Sequence, residues 1–114
     1  MGGMKTLKFK DHLVSKILNG SKDITWRLFD EKNLQVGDEL VLINAASGEE
    51  FAKAEIIGVR EKKLGEIGEA DFAERGTKSE SQENLIAHYR DYYGDKVDSN
   101  SIVKIVKFKL LEVL

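Results

Sequence analysis

Leu7-Lys8-Phe9-Lys10 alternates apolar and basic residues, the period of two that a half-buried strand carries. The period changes next. Asp11 is placed to cap a helix through Asn19 in which Leu13, Val14, Ile17 and Leu18 share one face. Lys16 falls in its last turn, where a cation suits the helix dipole, and Gly20 stands where a left-handed C-cap is easiest. Alternation returns from Ile24 to Leu28, with Ile24, Trp26 and Leu28 on one face and Thr25 and Arg27 on the other. A connection from Asn33 ends in a Gly37-Asp38 turn, and Leu40 to Ala45 is an apolar, β-branched strand. Ala46-Ser47-Gly48-Glu49 is a turn, and a long strand follows from Phe51 to Val59, with Gly58 marking a candidate bulge. Glu61 to Gly68 is a charged connection. Glu69 to Glu74 predicts a short helix, and Gly76 to Glu80 a loop. Ser81 starts a longer helix through Tyr93, with Leu85, Ile86, Tyr89 and Tyr92 or Tyr93 turned inward, and Gly94-Asp95 ends it. Ile102 to Val113 is the closing strand.

The resulting order, β-α-β-β-β-α-α-β, does not interleave helices and strands one by one. It predicts an α+β fold with a mixed or antiparallel sheet curled into a barrel, not a doubly wound parallel sheet. The 114 residues fit one domain, spanning 4–114. Met1-Gly2-Gly3 ahead of Met4 reads as a cloning scar, although Met1 to Thr6 also satisfies the loose myristoylation pattern.

Composition narrows the choice of partners. A net charge of -2 argues against binding nucleic acid by bulk electrostatics, so any such contact is local or the ligand is small. The chain contains no cysteine, which excludes disulfides, thiolate chemistry and Cys-based zinc sites. Two histidines, His12 and His88, do not by themselves make a His-rich metal site; both fit surface or helix-end positions, and no cofactor or metal is expected. The absence of a bilayer-length apolar run argues for a cytoplasmic protein without membrane contact. The sequon Asn19-Gly20-Ser21 is then out of reach of glycosylation. Lys8 and Lys10 share a strand face, as do Lys107 and Lys109, and would form a basic strip if those strands were neighbours.

The most informative segment is Gly20-Ser21-Lys22-Asp23-Ile24-Thr25-Trp26-Arg27, which fits Gly-x-Lys-x-x-Thr-x-Arg between an amphipathic helix and a strand. Thr25 and Arg27, two apart on a strand, lie roughly 7 Å apart on one face. Lys22 joins them only if the chain bends between Ser21 and Asp23. An ammonium, a hydroxyl and a guanidinium would then converge on one pocket. They would either bind a phosphate or base edge, or let a lysine of lowered pKa take the proton of a threonine nucleophile. Trp26, on the other face, is a core residue.

This segment, followed by the Val36-Gly37-Asp38 turn and an apolar strand, resembles the ASCH family of PUA-like pseudobarrels over nearly the whole chain. The resemblance implies a β-pseudobarrel flanked by helices. It extends to small stand-alone amidohydrolases that release acetate from N4-acetylcytidine with a lysine, a threonine three residues later and a distant glutamate. Lys22 and Thr25 match the first two, with Arg27, Gly20 and Ser21 contributing to substrate binding. Glu74 is the first candidate for the carboxylate; the register admits Arg75 or Gly76 at that position, with Glu80 as the fallback. The substrate implied is a small nucleoside or nucleobase. A non-catalytic module that binds RNA or a nucleotide, with Tyr89, Tyr92 and Tyr93 available for stacking, is the alternative.

Overall fold

The computed structural model describes residues 4–29 and 32–114; the three leading residues, read above as a cloning scar, lie outside the described residues. Among the described residues, five strands and three helices form in the predicted order: β1 (Lys5–Phe9), α1 (Asp11–Leu18), β2 (Ile24–Leu28), β3 (Glu39–Asn44), β4 (Glu50–Lys63), α2 (Glu69–Arg75), α3 (Gln82–Tyr93) and β5 (Ile102–Val113), with a 3-10 turn at Leu64–Glu66. Among the described residues no helix is long and apolar enough to cross a membrane.

One mixed sheet runs β1-β3-β4-β5-β2. Only β1 and β3 pair in parallel; the other neighbours are antiparallel. The sheet curls until its two edge strands, β1 and β2, approach each other. No backbone ladder is described between them, and Arg27 spans the gap by donating from Nη2 to the Lys8 carbonyl at 3.0 Å. The barrel is therefore incompletely closed, the α+β pseudobarrel expected above. Because β5 lies between β4 and β2, the Lys8–Lys10 and Lys107–Lys109 pairs are not on neighbouring strands and form no common strip.

Alternation along the strands feeds two cores. Leu7 and Phe9, Leu40 and Leu42, Ile56 and Phe108 pack inside the curl with Ile17 of α1. Ile24, Trp26 and Leu28 turn the other way and pack with Val103 and Ile105 against Phe72 of α2 and Leu85 of α3. The strand carrying the motif is thus fixed through one face by apolar burial, which leaves Thr25 and Arg27 on the other.

Two local details differ from expectation, the N-cap of α1 and the length of β4, while the bulge expected at Gly58 forms. Lys10 occupies the N-cap of α1 without a side-chain cap bond. Asp11 sits in the first turn instead, and its carboxylate accepts a 2.8 Å hydrogen bond from the Asn44 amide, tying α1 to the end of β3. The fourth strand runs on to Lys63, four residues past the predicted end, because β5 is long enough to pair with it throughout. Its register against β5 shifts between Ile56 and Gly58. The bulge leaves Ile57 exposed and explains why apolar alternation breaks there.

Candidate functional site

The chain leaves α1 through Gly20, whose φ of 84° is left-handed and suits a residue without Cβ. Beyond it the Ser21 hydroxyl donates to the Lys16 carbonyl at 3.2 Å, and the Lys22 amide donates to the same carbonyl at 3.0 Å. These bonds make the bend that the motif required. Gly20 and Ser21, expected to contribute to substrate binding, are exposed, shape this turn and do not line the hollow described next.

Lys22, Thr25 and Arg27 all line one open hollow of about 720 Å³. That volume lies within the roughly 300–1,000 Å³ typical of small-molecule pockets. The hollow lies where the edges of β1 and β2 approach beneath α3. Its walls include Lys8 and Lys10, Arg75 from the end of α2, and Tyr89, Tyr92 and Tyr93.

Thr25 is 5% exposed, so its hydroxyl is reached only through this opening. The Arg27 Nε donates to Thr25 Oγ1 at 3.1 Å. The threonine oxygen thus accepts from a cation, which leaves its own proton available to another acceptor. Arg27 is itself held by the Lys8 carbonyl and by the Phe9 ring, 4.9 Å from its guanidinium carbon. The Lys22 Nζ donates to the Ile24 carbonyl at 2.8 Å. Burial, then the charges of Arg75, Arg27 and Lys16, bring its pKa down to about 8, against a smaller opposing pull from Asp23. Part of the population is therefore a neutral amine near neutrality. In that form one N–H can still serve the Ile24 carbonyl while the lone pair is free.

Glu74 does not enter the hollow. Its carboxylate accepts a 2.6 Å hydrogen bond from Arg60 Nη2 on β4, and its side chain is 47% exposed. The neighbouring Arg75, one helical step of about 100° further on, turns to the other side. Its guanidinium carbon lies 3.8 Å from the centre of the Trp26 ring and the residue lines the hollow. The hollow's carboxylates are Glu80, the fallback position, and Asp91. Glu80 Oε1 lies 2.8 Å from His88 Nδ1. Both histidines are exposed, in keeping with the surface or helix-end positions expected, and both line the hollow.

Tyr89 and Tyr93 stack with centroids 6.2 Å apart, and Lys10 lies 4.6 Å from the centre of the exposed Tyr92 ring. Burial is the largest influence on the Tyr89 hydroxyl and pushes its pKa up to about 12, despite the nearby Arg75. It therefore remains a hydrogen-bond donor at neutral pH. The signal for this wall was present in the sequence. Leu85, His88, Tyr89 and Tyr92 follow i, i+3, i+4, i+7 and share a helix face; all four line the hollow, with Leu85 the buried member.

The same curled sheet occurs in proteins of known structure. A protein from Enterococcus faecalis superposes with a TM-score of 0.75 at 14% identity, covering 100% of this chain and 84% of that one. The ASCH domain of Lactobacillus crispatus gives 0.69 at 17% identity, over 95% of this chain and 80% of that chain. A mutant of the Zymomonas mobilis ASCH protein gives 0.62 at 10% identity, over 96% and 71%. At such identities the likeness is one of fold. No curated protein matches the sequence significantly. The sequence itself matches the model of the ASCH domain over residues 3–112. A match of that extent, joined to a fold shared with other ASCH proteins, means that the chain belongs to the ASCH domain family.

Proposed function

We propose that this protein is an amidohydrolase that cleaves the N4-acyl amide of N4-acetylcytidine or a related acylated cytosine. The observation that carries the reading is the convergence of Lys22, with its pKa near 8, and the Arg27-held hydroxyl of Thr25 on one hollow. In this mechanism the Lys22 amine takes the Thr25 proton as Thr25 Oγ1 attacks the acyl carbon, giving an acyl-threonine that water then hydrolyses. The fixed donor on Thr25 orients the nucleophile. Stacked Tyr89 and Tyr93 offer an apolar wall against which a pyrimidine ring can lie. With Glu74 turned to Arg60, the carboxylates lining the hollow are Glu80 and Asp91, and Glu80, the fallback position, is the one the resemblance admits.

Incubation of the purified protein with N4-acetylcytidine tests the reading by cytidine release. The expected result is turnover that falls to background in Lys22→Ala and Thr25→Val. Turnover equal in all three proteins would refute it.

One observation favours a second reading, a non-catalytic module for RNA or a nucleotide. Lys8, Lys10, Lys22, Arg27 and Arg75 outnumber Glu80 and Asp91 in the hollow, a local excess of positive charge in an acidic protein. Such a module would bind an RNA oligomer with an affinity that drops steeply with salt, and would release no cytidine.

A further inference from the structure

Amide hydrolysis needs two proton transfers, and a second group serving the departing nitrogen would spare Lys22 from carrying out both. The nucleophile must lose a proton, and the departing nitrogen must gain one before the C–N bond can break. The remaining groups of the hollow differ in their fitness for the second task. Arg27 and Arg75 are permanently charged. Arg27 is already spent on Thr25 and Lys8, and Arg75 lies over Trp26. Tyr89 holds its proton too tightly to give it up and regain it in each cycle.

His88 is different. It projects from α3 on the face shared with Tyr89, and its Nδ1 is 2.8 Å from the Glu80 carboxylate. Glu80 lies just before Ser81, whose hydroxyl accepts the Asn84 amide to cap α3, so the carboxylate is held close to a fixed point of the backbone. Its side chain is 25% exposed, against 62% for His88. A carboxylate on Nδ1 fixes the tautomer, orients the ring and leaves Nε2 as the atom that exchanges protons. Exposure lets that nitrogen re-equilibrate with water between turnovers.

We infer that His88, oriented by Glu80, is the proton donor to the leaving nitrogen in the hydrolysis proposed above, on which this assignment rests. Thr25 Oγ1 bonds to the acyl carbon and its proton passes to Lys22. As the C–N bond breaks, the nitrogen takes a proton from the His88 imidazolium and the cytidine leaves. Water then adds to the acyl carbon and gives a proton to neutral His88. The bond to Thr25 Oγ1 breaks as Lys22 returns its proton to that oxygen. The sum is amide plus water giving amine plus acid, with Lys22, Thr25 and His88 restored. His88 is thus a catalytic residue and Glu80 a positioning residue.

Turnover of N4-acetylcytidine is compared in wild type, His88→Ala, His88→Gln and Glu80→Gln, with and without added imidazole. Both His88 variants are expected to lose about 100-fold in kcat, the lower range for a general acid–base group. Imidazole should restore His88→Ala, where it has room, at least about tenfold, and leave His88→Gln and Glu80→Gln unchanged. Wild type active with His88→Ala equally active, or slowed without rescue, overturns this assignment while sparing the hydrolase. A wild type inert on N4-acetylcytidine overturns both.

Discussion

Asp71 on α2 and Lys22 before β2 are both charges drawn out of water, yet their surroundings differ. Asp71 is 4% exposed and accepts hydrogen bonds from Lys62 at 2.8 Å, Arg60 at 3.2 Å and the Gly68 amide at 2.9 Å. Burial alone would raise its pKa, but these donors outweigh it and hold the carboxyl below its ordinary value. Lys22 finds one backbone carbonyl and three cations nearby, and among the described residues no carboxylate lies within ion-pairing distance. The first arrangement satisfies a charge and pins α2 to β4. The second leaves a charge unfavourable, so that the neutral, basic form of the amine becomes accessible. Structural and reactive burial are thus distinguished by their partners more than by their depth.

Substitutions should separate the two. The largest effect expected is on catalysis: Thr25→Val, which removes the nucleophile, should reduce cytidine release to background, and Lys22→Met should lower it by about 10³-fold, within the range for general acid–base groups. Next comes stability. Asp71→Ala should cost about 2 kcal/mol, below the full penalty for breaking a buried pair because Arg60 and Lys62 still reach solvent. A shift in urea midpoint checks this, and an unchanged midpoint would remove the structural role.

Lys22→Met should act in the opposite direction, stabilising the fold at pH 7 by roughly 1 kcal/mol, since part of the side chain already meets water. The effect is pH-dependent. Between pH 8 and the ordinary value of 10.5 the unfolded chain binds more protons at Lys22 than the folded one. Wild-type stability relative to Lys22→Met should therefore rise with pH through that window. A difference in stability that is flat with pH would contradict the depressed pKa. The smallest effect is predicted for Glu74→Ala, which loses an exposed pair with Arg60 worth under about 1 kcal/mol and leaves turnover per folded molecule unchanged. A large loss of turnover there would return the carboxylate role to Glu74.

Much of the architecture was legible without coordinates, because local rules act over a few residues. The bounds of β2 and β5 followed from period-two alternation, and the end of α1 from Gly20. The bend at Ser21 was legible only as a requirement of the motif. Placement of the charged helix residues was not legible. The short α2 has Phe72 as its one buried apolar anchor, too little to decide which way Glu74 and Arg75 turn.

By itself, then, the sequence determined which segments are strands and helices, which apolar faces must be buried, and that Thr25 and Arg27 share a strand face, with Lys22 joined to them only through the motif's resemblance. Those properties depend on backbone period and on residues a few positions apart. The tertiary structure alone decided that β1 and β2 become facing edges bridged by Arg27, that Glu74 turns to Arg60, and that Glu80 and His88 meet in the hollow. Each of these depends on the curl of the sheet and on how α2 and α3 pack across it, and polar side chains carry no periodic signal of which neighbour they will meet.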